Sequence, residues 1–268
     1  MAKKKKEKPV PGIPQEVRKW SKSDLGHYLL ELISHNISPA VQSELLPRQL
    51  ESCLGGIRAS EGVIENIKSD HIAQQYQQVR EEYVNAATVL LEDHLRVFFI
   101  ACQLYVTRVV EAVRWFKRHE GGVCSLPSHY EDPVKIRELG RKVIGQMTTA
   151  ECMWHLGNYA KHNEQLEELD AKTIKGLIGL AMIDSNGEIK TDADYAAVKS
   201  ISGKNVRSLS DLQDGLRIVE RSLREWADNL ENGVIGDLDE FRYGDRTRTK
   251  RENETFAKFL AERFSANN

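Results

Sequence analysis

The sequence of 268 residues is poor in cysteine, and its four cysteines follow no recognisable spacing. No CxxC pair occurs, and the four lie scattered in apolar or loop stretches at Cys53, Cys102, Cys124 and Cys152. Zinc fingers and small disulfide-bonded secreted domains need closely spaced cysteines, so the sequence excludes both classes. Isolated reduced thiols are typical of a reducing compartment. We therefore predict a cytoplasmic protein that holds no metal and no other cofactor.

An excess of charge of one sign is also missing, since 38 Lys and Arg residues face 40 Asp and Glu residues. A net charge of −2 excludes a protein that coats nucleic acid by bulk charge, so any contact with nucleic acid must be local. The chain begins with a lysine cluster that no apolar run follows, which excludes a secretory signal there. We predict a disordered basic tail over 1–14, either solvated or in contact with an RNA or DNA backbone.

Long uncharged hydrophobic runs are absent as well. The best candidate, 95–116, contains Arg96, Arg108 and Arg114, and each charge at a bilayer centre costs roughly 2.5–3.5 kcal/mol. We expect a buried helix there and no contact with a membrane. Its apolar part, Val97 to Phe116, offers more hydrophobic surface than one face of a bundle normally buries, which predicts a symmetric homodimer.

Glycine and proline are both absent from Val63 to Glu120. Within this stretch apolar residues recur at steps of three and four, the spacing of one helix face. The sequence predicts a helix from an N-cap at Ser69-Asp70 to a stop at Gly121-Gly122. Such a helix is roughly 75 Å long, whereas a compact chain of this size is only about 45–50 Å across. Either the helix bends or breaks near Glu92-Asp93, or the bundle is elongated.

Helical spacing continues through most of the rest of the chain. We predict an all-α fold: an elongated bundle of long antiparallel helices, with a small β-hairpin insertion near 181–191 where Asn186-Gly187 favours a turn. The predicted organisation is the tail, an N-terminal helical hairpin over 15–60 and the bundle over 61–268. The second helix of the hairpin is predicted to stop at Gly55-Gly56. Further helices are predicted at Ser23 to Asn36, Pro39 to Leu54, Asp132 to Gln146, Thr148 to Asn163, Leu166 to Met182, Leu209 to Leu230 and Asn253 to Phe264.

The segment from Glu151 to Asn163 carries the best candidate site. On a helix, His155, Asn158 and His162 stand at i, i+3 and i+7, so two imidazoles and an amide share one face. Gly157 lies in the middle of the same helix, where glycine costs roughly 1 kcal/mol relative to alanine. Its presence indicates that another group, a packed helix among the possibilities, approaches the backbone closely there.

The run Gly157-Asn-Tyr-Ala-Lys-His162, within a bundle of long helices, resembles the signature of the HEPN-like superfamily of prokaryotes. Many of its members are toxins or defence-associated RNA-processing factors. The resemblance implies an RNA- or nucleotide-binding protein, with a homodimer and an antitoxin or another defence-system partner. It assigns His162 as the catalytic histidine and Asn158 as the polar position of the motif. Gly157 stands where catalytic members carry an arginine, so we expect at most a weak metal-independent ribonuclease.

The chemistry of RNA cleavage explains the importance of that arginine. The reaction needs a group that titrates near pH 7 and a fixed cation for charge that develops on phosphorus. His162 supplies the first, and Lys161 is a flexible substitute for the second, although it points about 100° away on the helix. His155 has apolar neighbours, so we predict that it is chiefly structural. Another Arg-x4-His pair, Arg114 and His119, is expected by chance at this composition.

A basic segment near the end of the chain is the second candidate site. Cations interleaved with an aromatic side chain can hold phosphates and stack a base. The candidate RNA-binding residues are Arg242, Tyr243, Arg246, Arg248, Lys250 and Arg251. A solvated linker is the other interpretation of this segment.

The opposing functional class is a non-catalytic helical interaction or scaffold protein. In that case His155, Asn158 and His162 form a buried hydrogen-bonded cluster that stabilises the bundle.

Overall fold

The computed structural model describes residues 20–69, 76–120, 124, 126–162 and 166–243, without the side chains of residues 68, 242 and 243. The predicted tail at 1–14 lies outside these ranges, as do the last predicted helix and most of the basic segment. The helices are α1 (Lys22–Asn36), α2 (Ser38–Val41), α3 (Leu45–Ser69), α4 (Gln77–His119), α5 (Pro133–Glu138), α6 (Thr149–Lys161), α7 (Ala171–Gly179), α8 (Ala193–Ser202) and α9 (Leu209–Tyr243). The prediction of an all-α bundle with a small β element is confirmed.

α4 is the central helix of the bundle and runs without a break for 43 residues. It is roughly 65 Å long. Of the two predicted alternatives, a break near Glu92-Asp93 does not occur and the elongated bundle is confirmed. Of the predicted N-cap pair Ser69-Asp70, Ser69 instead ends α3, Asp70 lies outside the described residues, and α4 begins after Tyr76. α4 packs against α3 and α6, and these contacts bury most of its apolar residues.

The N-terminal helices differ from the prediction at Gly55-Gly56, which lie inside α3 rather than at its end. The reason is a tertiary contact. A Cβ atom at Gly56 would overlap the imidazole of His94 on α4, so the glycine allows the two helices to approach closely. This contact offsets the intrinsic cost of glycine in a helix. The predicted domain boundary at residue 60 falls within α3, and one hydrophobic core extends over both sides of it.

The described β strands lie in a segment that the sequence predicts as helix. α5 ends at Glu138, and an antiparallel pair follows, with β1 at Lys142–Ile144 and β2 at Met147–Thr148. Glycines with positive φ, at Gly140 (103°) and Gly145 (54°), turn the chain before and within this hairpin. The predicted helix from Asp132 to Gln146 is therefore wrong beyond Glu138.

The hairpin predicted near 181–191 forms a tight turn with a single bridge between Ile183 and Ile189. One Asp184 carboxylate oxygen accepts hydrogen bonds from the backbone N–H groups of Asn186 (2.8 Å) and Glu188 (3.0 Å). Gly187 has a φ of 85°, as the Asn-Gly turn requires.

None of the helices in the described ranges combines the length and apolarity that a bilayer crossing needs. The stretch Val97 to Phe116 is mostly buried within the chain, although Val97 and Leu104 are exposed. The surface that suggested a homodimer is thus largely covered by the protein itself.

Candidate functional site

Two local signals place α6, which carries the candidate residues. Thr148 and Glu151 form the predicted capping box: the Thr148 hydroxyl accepts from the Glu151 N–H (3.2 Å), and a Glu151 carboxylate oxygen accepts from the Thr148 N–H (2.8 Å). The Thr148 hydroxyl also donates to the backbone carbonyl of Arg137 at 2.5 Å. These bonds fix the start of α6 against α5.

Gly157 lies where α6 crosses α4. A Cβ atom there would overlap Cβ of Gln103 and stand 2.7 Å from its Oε1. The prediction that another group approaches the backbone at Gly157 is confirmed, and that group is a packed helix.

A chain of hydrogen bonds runs through Asn158 from α4 to α7. Gln103 Nε2 donates to Asn158 Oδ1 (2.5 Å) and to the carbonyl of Trp154 (3.2 Å). Asn158 Nδ2 then donates to Thr173 Oγ1 (3.2 Å), which donates to Asp170 Oδ2 (2.9 Å). Gln103 and Thr173 are buried. Asn158 therefore joins three elements, whereas His155 and His162 take no part in this chain of bonds.

The three predicted polar residues share the face of α6 that packs on 168–176. Asn158 meets Thr173 there. The ring of His155 lies so close to Gly176 of α7 that a Cβ at Gly176 would overlap it. His162, at the C-cap of α6, places Nδ1 3.1 Å from Glu168 Oε2. The two histidines thus lie in different surroundings at opposite ends of the contact.

His155 lines a cleft in the described part of the chain, whereas His162 and Lys161 do not. The cleft has a volume of about 830 Å³ and lies between α5, the β hairpin, α6 and α7. His162 is 40% exposed in its side chain, and Lys161 is exposed at the surface. Of the candidate catalytic residues, the structure brings none into this cleft: Asn158 lies in the hydrogen-bond chain, and the other two lie at the helix end.

The walls of the cleft carry several cations beside an aromatic ring. The guanidinium of Arg137 lies over the ring of Trp154, 4.1 Å from its centroid. Lys172 and Lys175 on α7 are exposed at the opening. Lys142 pairs with Glu151 at 3.4 Å.

Two of the three acidic residues of the walls, Glu151 and Asp170, are engaged in structural bonds, whereas the third, Glu138, is exposed. Glu151 belongs to the capping box, and Asp170 caps α7 by accepting from the N–H groups of Lys172 (2.9 Å) and Thr173 (3.0 Å). These backbone and side-chain bonds, led by those of Thr173, hold the pKa of Asp170 below its usual value. The exposed charges that remain at the cleft are the two lysines of α7, opposed by the Glu138 carboxylate.

Burial lowers the pKa of His155, which is neutral over a wider pH range than a free histidine. Its Nδ1 is buried and has no hydrogen-bond partner among the described residues. Glu151 and Asp170 oppose the shift and Arg137 adds to it. The half-buried imidazole lines the cleft, and its Nδ1 is enclosed by the protein, so a hydrogen bond to a bound polar group would use the other ring nitrogen.

This shift predicts a pH dependence of stability. Protonation of His155 is easier in the unfolded chain, where its pKa is about 6.5, than in the fold. The stabilisation is present above that unfolded pKa and is lost as the pH falls through the lower folded pKa. Urea unfolding at pH 7, 6 and 5 is expected to show a smaller loss of unfolding free energy in His155→Gln than in the wild type. Parallel losses would contradict the assignment.

The sequence interpretation missed Arg137, Trp154, Lys172 and Lys175. One usable signal was present, since Gly176 in α7 is a helix glycine like Gly157 and marks the contact with His155. The alternative pair Arg114 and His119 has structural contacts: Arg114 Nη1 meets Glu111 Oε1 at 2.5 Å. His119 stacks on Trp115, with the ring centroids 3.7 Å apart.

The other predicted site lies at the limit of the description. The backbone of α9 ends at Tyr243, and the side chains of Arg242 and Tyr243 and all of Arg246, Arg248, Lys250 and Arg251 lie outside the described residues. Among the described residues, no group of three His, Cys, Asp or Glu side chains is placed to hold a metal ion. The four cysteines are free and buried.

Comparison with protein-family models, with curated proteins and with solved structures gives no match to this chain. The resemblance to the HEPN-like superfamily therefore stays a prediction based on the segment that ends at His162.

Proposed function

We propose that the protein binds a nucleotide, free or within RNA, in the cleft between α5, α6 and α7. The observation that carries the proposal is the convergence of Lys172, Lys175 and the Arg137–Trp154 stack on the half-buried His155. The volume of about 830 Å³ is within the ordinary size of small-molecule sites. Lysines bind phosphate by charge, and an aromatic ring beside arginine favours a planar base.

A ribonuclease activity is a further step that rests on the HEPN-like resemblance. His162 pairs with the Glu168 carboxylate rather than facing the cleft. An association with a prokaryotic toxin or defence system, and with an antitoxin, rests on the same resemblance and stays a prediction. Cytoplasmic location likewise stays a prediction.

The test is equilibrium binding of two probes, a fluorescent single-stranded oligoribonucleotide and ATP. We expect the double variant Lys172→Ala/Lys175→Ala to bind at least about tenfold more weakly at low salt. Its log–log salt slope for the oligoribonucleotide should be smaller by about 1.4, since each lost phosphate contact on a single strand removes about 0.7. Preference for one probe identifies RNA or free nucleotide as the ligand.

The matched control is Lys135→Ala/Lys199→Ala, which removes the same charge at two exposed positions outside the cleft. We expect it to bind like the wild type. A third variant, Arg246→Ala/Arg248→Ala, tests the basic segment predicted from the sequence. Three outcomes would reject the cleft as the site. They are loss of binding only in Arg246→Ala/Arg248→Ala, equal losses in the two double-lysine variants, and no binding of either probe by the wild type.

A further inference from the structure

α4 carries a row of large apolar side chains that the described structure leaves uncovered. Five of them follow one another at intervals of seven residues, and a sixth lies within the same row. Their exposed fractions are 61% for Tyr76, 42% for Val79, 59% for Tyr83, 56% for Leu90, 55% for Val97 and 47% for Leu104. We call these six residues the α4 stripe.

The α4 stripe follows the seven-residue spacing of a coiled-coil seam. At 3.6 residues per turn the five members inside α4 fall within a sector of about 60° and extend roughly 38 Å along the helix. Tyr76 directly precedes the helix. The neighbouring sector, which includes Ala87, Leu91 and Leu95, is buried in the core. A row of exposed apolar side chains beside a buried face is typical of an interaction surface.

We propose that the α4 stripe binds the α4 stripe of a second copy of this chain, antiparallel, with the two-fold axis at Leu90. The proposal is independent of the nucleotide cleft, because the stripe and the cleft lining have no residue in common. It also differs from the homodimer predicted from Val97 to Phe116, since most of that stretch is buried.

The area of the stripe suits a second copy. Six side chains of on the order of 200 Å², each about half exposed, present roughly 600 Å² per chain. Two copies then bury about 1,200 Å², above the ~1,000 Å² that a specific interface needs, before polar neighbours at the rim are counted.

The order of residues along the stripe is also self-complementary. Leu90 lies at its centre, with Tyr76, Val79 and Tyr83 on one side and the aliphatic Val97 and Leu104 on the other. In an antiparallel pair centred on Leu90, Tyr83 lies opposite Val97 of the second copy and Tyr76 lies opposite Leu104. Each bulky ring thus meets a smaller side chain, and the closed two-fold contact is the commonest form of homo-oligomer.

The first test is the mass in solution at tens of micromolar, measured by light scattering. The wild type is expected at twice the chain mass of 30.5 kDa and Leu90→Arg at 30.5 kDa. The matched control is Asn85→Arg, an exposed position on the same helix about 140° from the centre of the stripe, and it should remain dimeric. Circular dichroism confirms folding, and Tyr83→Asp replaces Leu90→Arg if that variant does not fold.

Disulfide cross-linking between introduced cysteines tests the antiparallel arrangement. The four native cysteines are buried and should not compete in the reaction. Mild oxidation should link Leu90→Cys to itself, and Tyr83→Cys to Val97→Cys only when the two variants are mixed. A monomeric wild type, with the stripe covered by residues 244–268 or by another protein, would overturn the proposal. A dimer that persists in Leu90→Arg, or a Tyr83→Cys chain that links to itself, would overturn it as well.

Discussion

Replacing Gly157 by alanine is expected to lower the free energy of unfolding by about 1–3 kcal/mol, although alanine is the better helix former. The added methyl group overlaps Cβ of Gln103, which is close to the backbone and cannot swing away as the end of a long side chain can. α4 and α6 must then separate, and the bonds from Gln103 to Asn158 and Trp154 must lengthen. Thermal and urea unfolding measure the loss.

Gly55→Ala is the matched control, because Gly55 also lies inside a helix but has no atom within 4 Å of a built Cβ. It should raise the free energy of unfolding by up to about 1 kcal/mol. Equal stability of the two variants would show that α4 and α6 are not in tight contact.

The same contact leaves no space for the arginine that catalytic HEPN-like members carry at the position of Gly157. Gly157→Arg is expected to cost more than about 4 kcal/mol, a large part of the ~5–15 kcal/mol that stabilises an ordinary domain. The glycine thus has a packing reason in this chain, independent of any loss of catalysis.

Local signals predicted the elements that depend only on neighbouring residues. The capping box of Thr148 and Glu151 forms as predicted, and Pro133 occupies the first turn of α5. Signals that tertiary contacts override were misleading. Gly55-Gly56 predicted the end of α3, but the contact between Gly56 and His94 extends the helix through both glycines.

The cleft could not be predicted because its walls come from separate parts of the chain. Arg137 and Lys175 are 38 positions apart, and the β hairpin between them was predicted as helix. The apolar neighbours of His155 suggested a core position, which agrees with its lowered pKa. These neighbours did not indicate that one side of the His155 ring faces a cleft. That side is bounded by α7, which is distant from His155 in the sequence.

Substitution of the two histidines near α6 distinguishes the proposed cleft from the site that the family resemblance implies. We expect His155→Ala to weaken binding of ATP or the oligoribonucleotide by about 10- to 100-fold, because a hydrogen bond to a charged group contributes about 1.5–3 kcal/mol. His162→Ala should bind within about twofold of the wild type, since His162 lies outside the cleft and contacts Glu168. Both variants are compared by the same titration, with folding checked by circular dichroism.

The HEPN-like resemblance predicts the opposite order, in which His162→Ala abolishes RNA handling and His155→Ala affects only stability. Incubation of both variants with RNA in EDTA extends the comparison to cleavage, where loss of a catalytic acid or base costs about 10²- to 10⁴-fold. Normal binding by a folded His155→Ala would reject His155 as a ligand contact. Loss of binding or cleavage in His162→Ala alone would place the site at the C-terminal end of α6, because His162 lies there and outside the cleft.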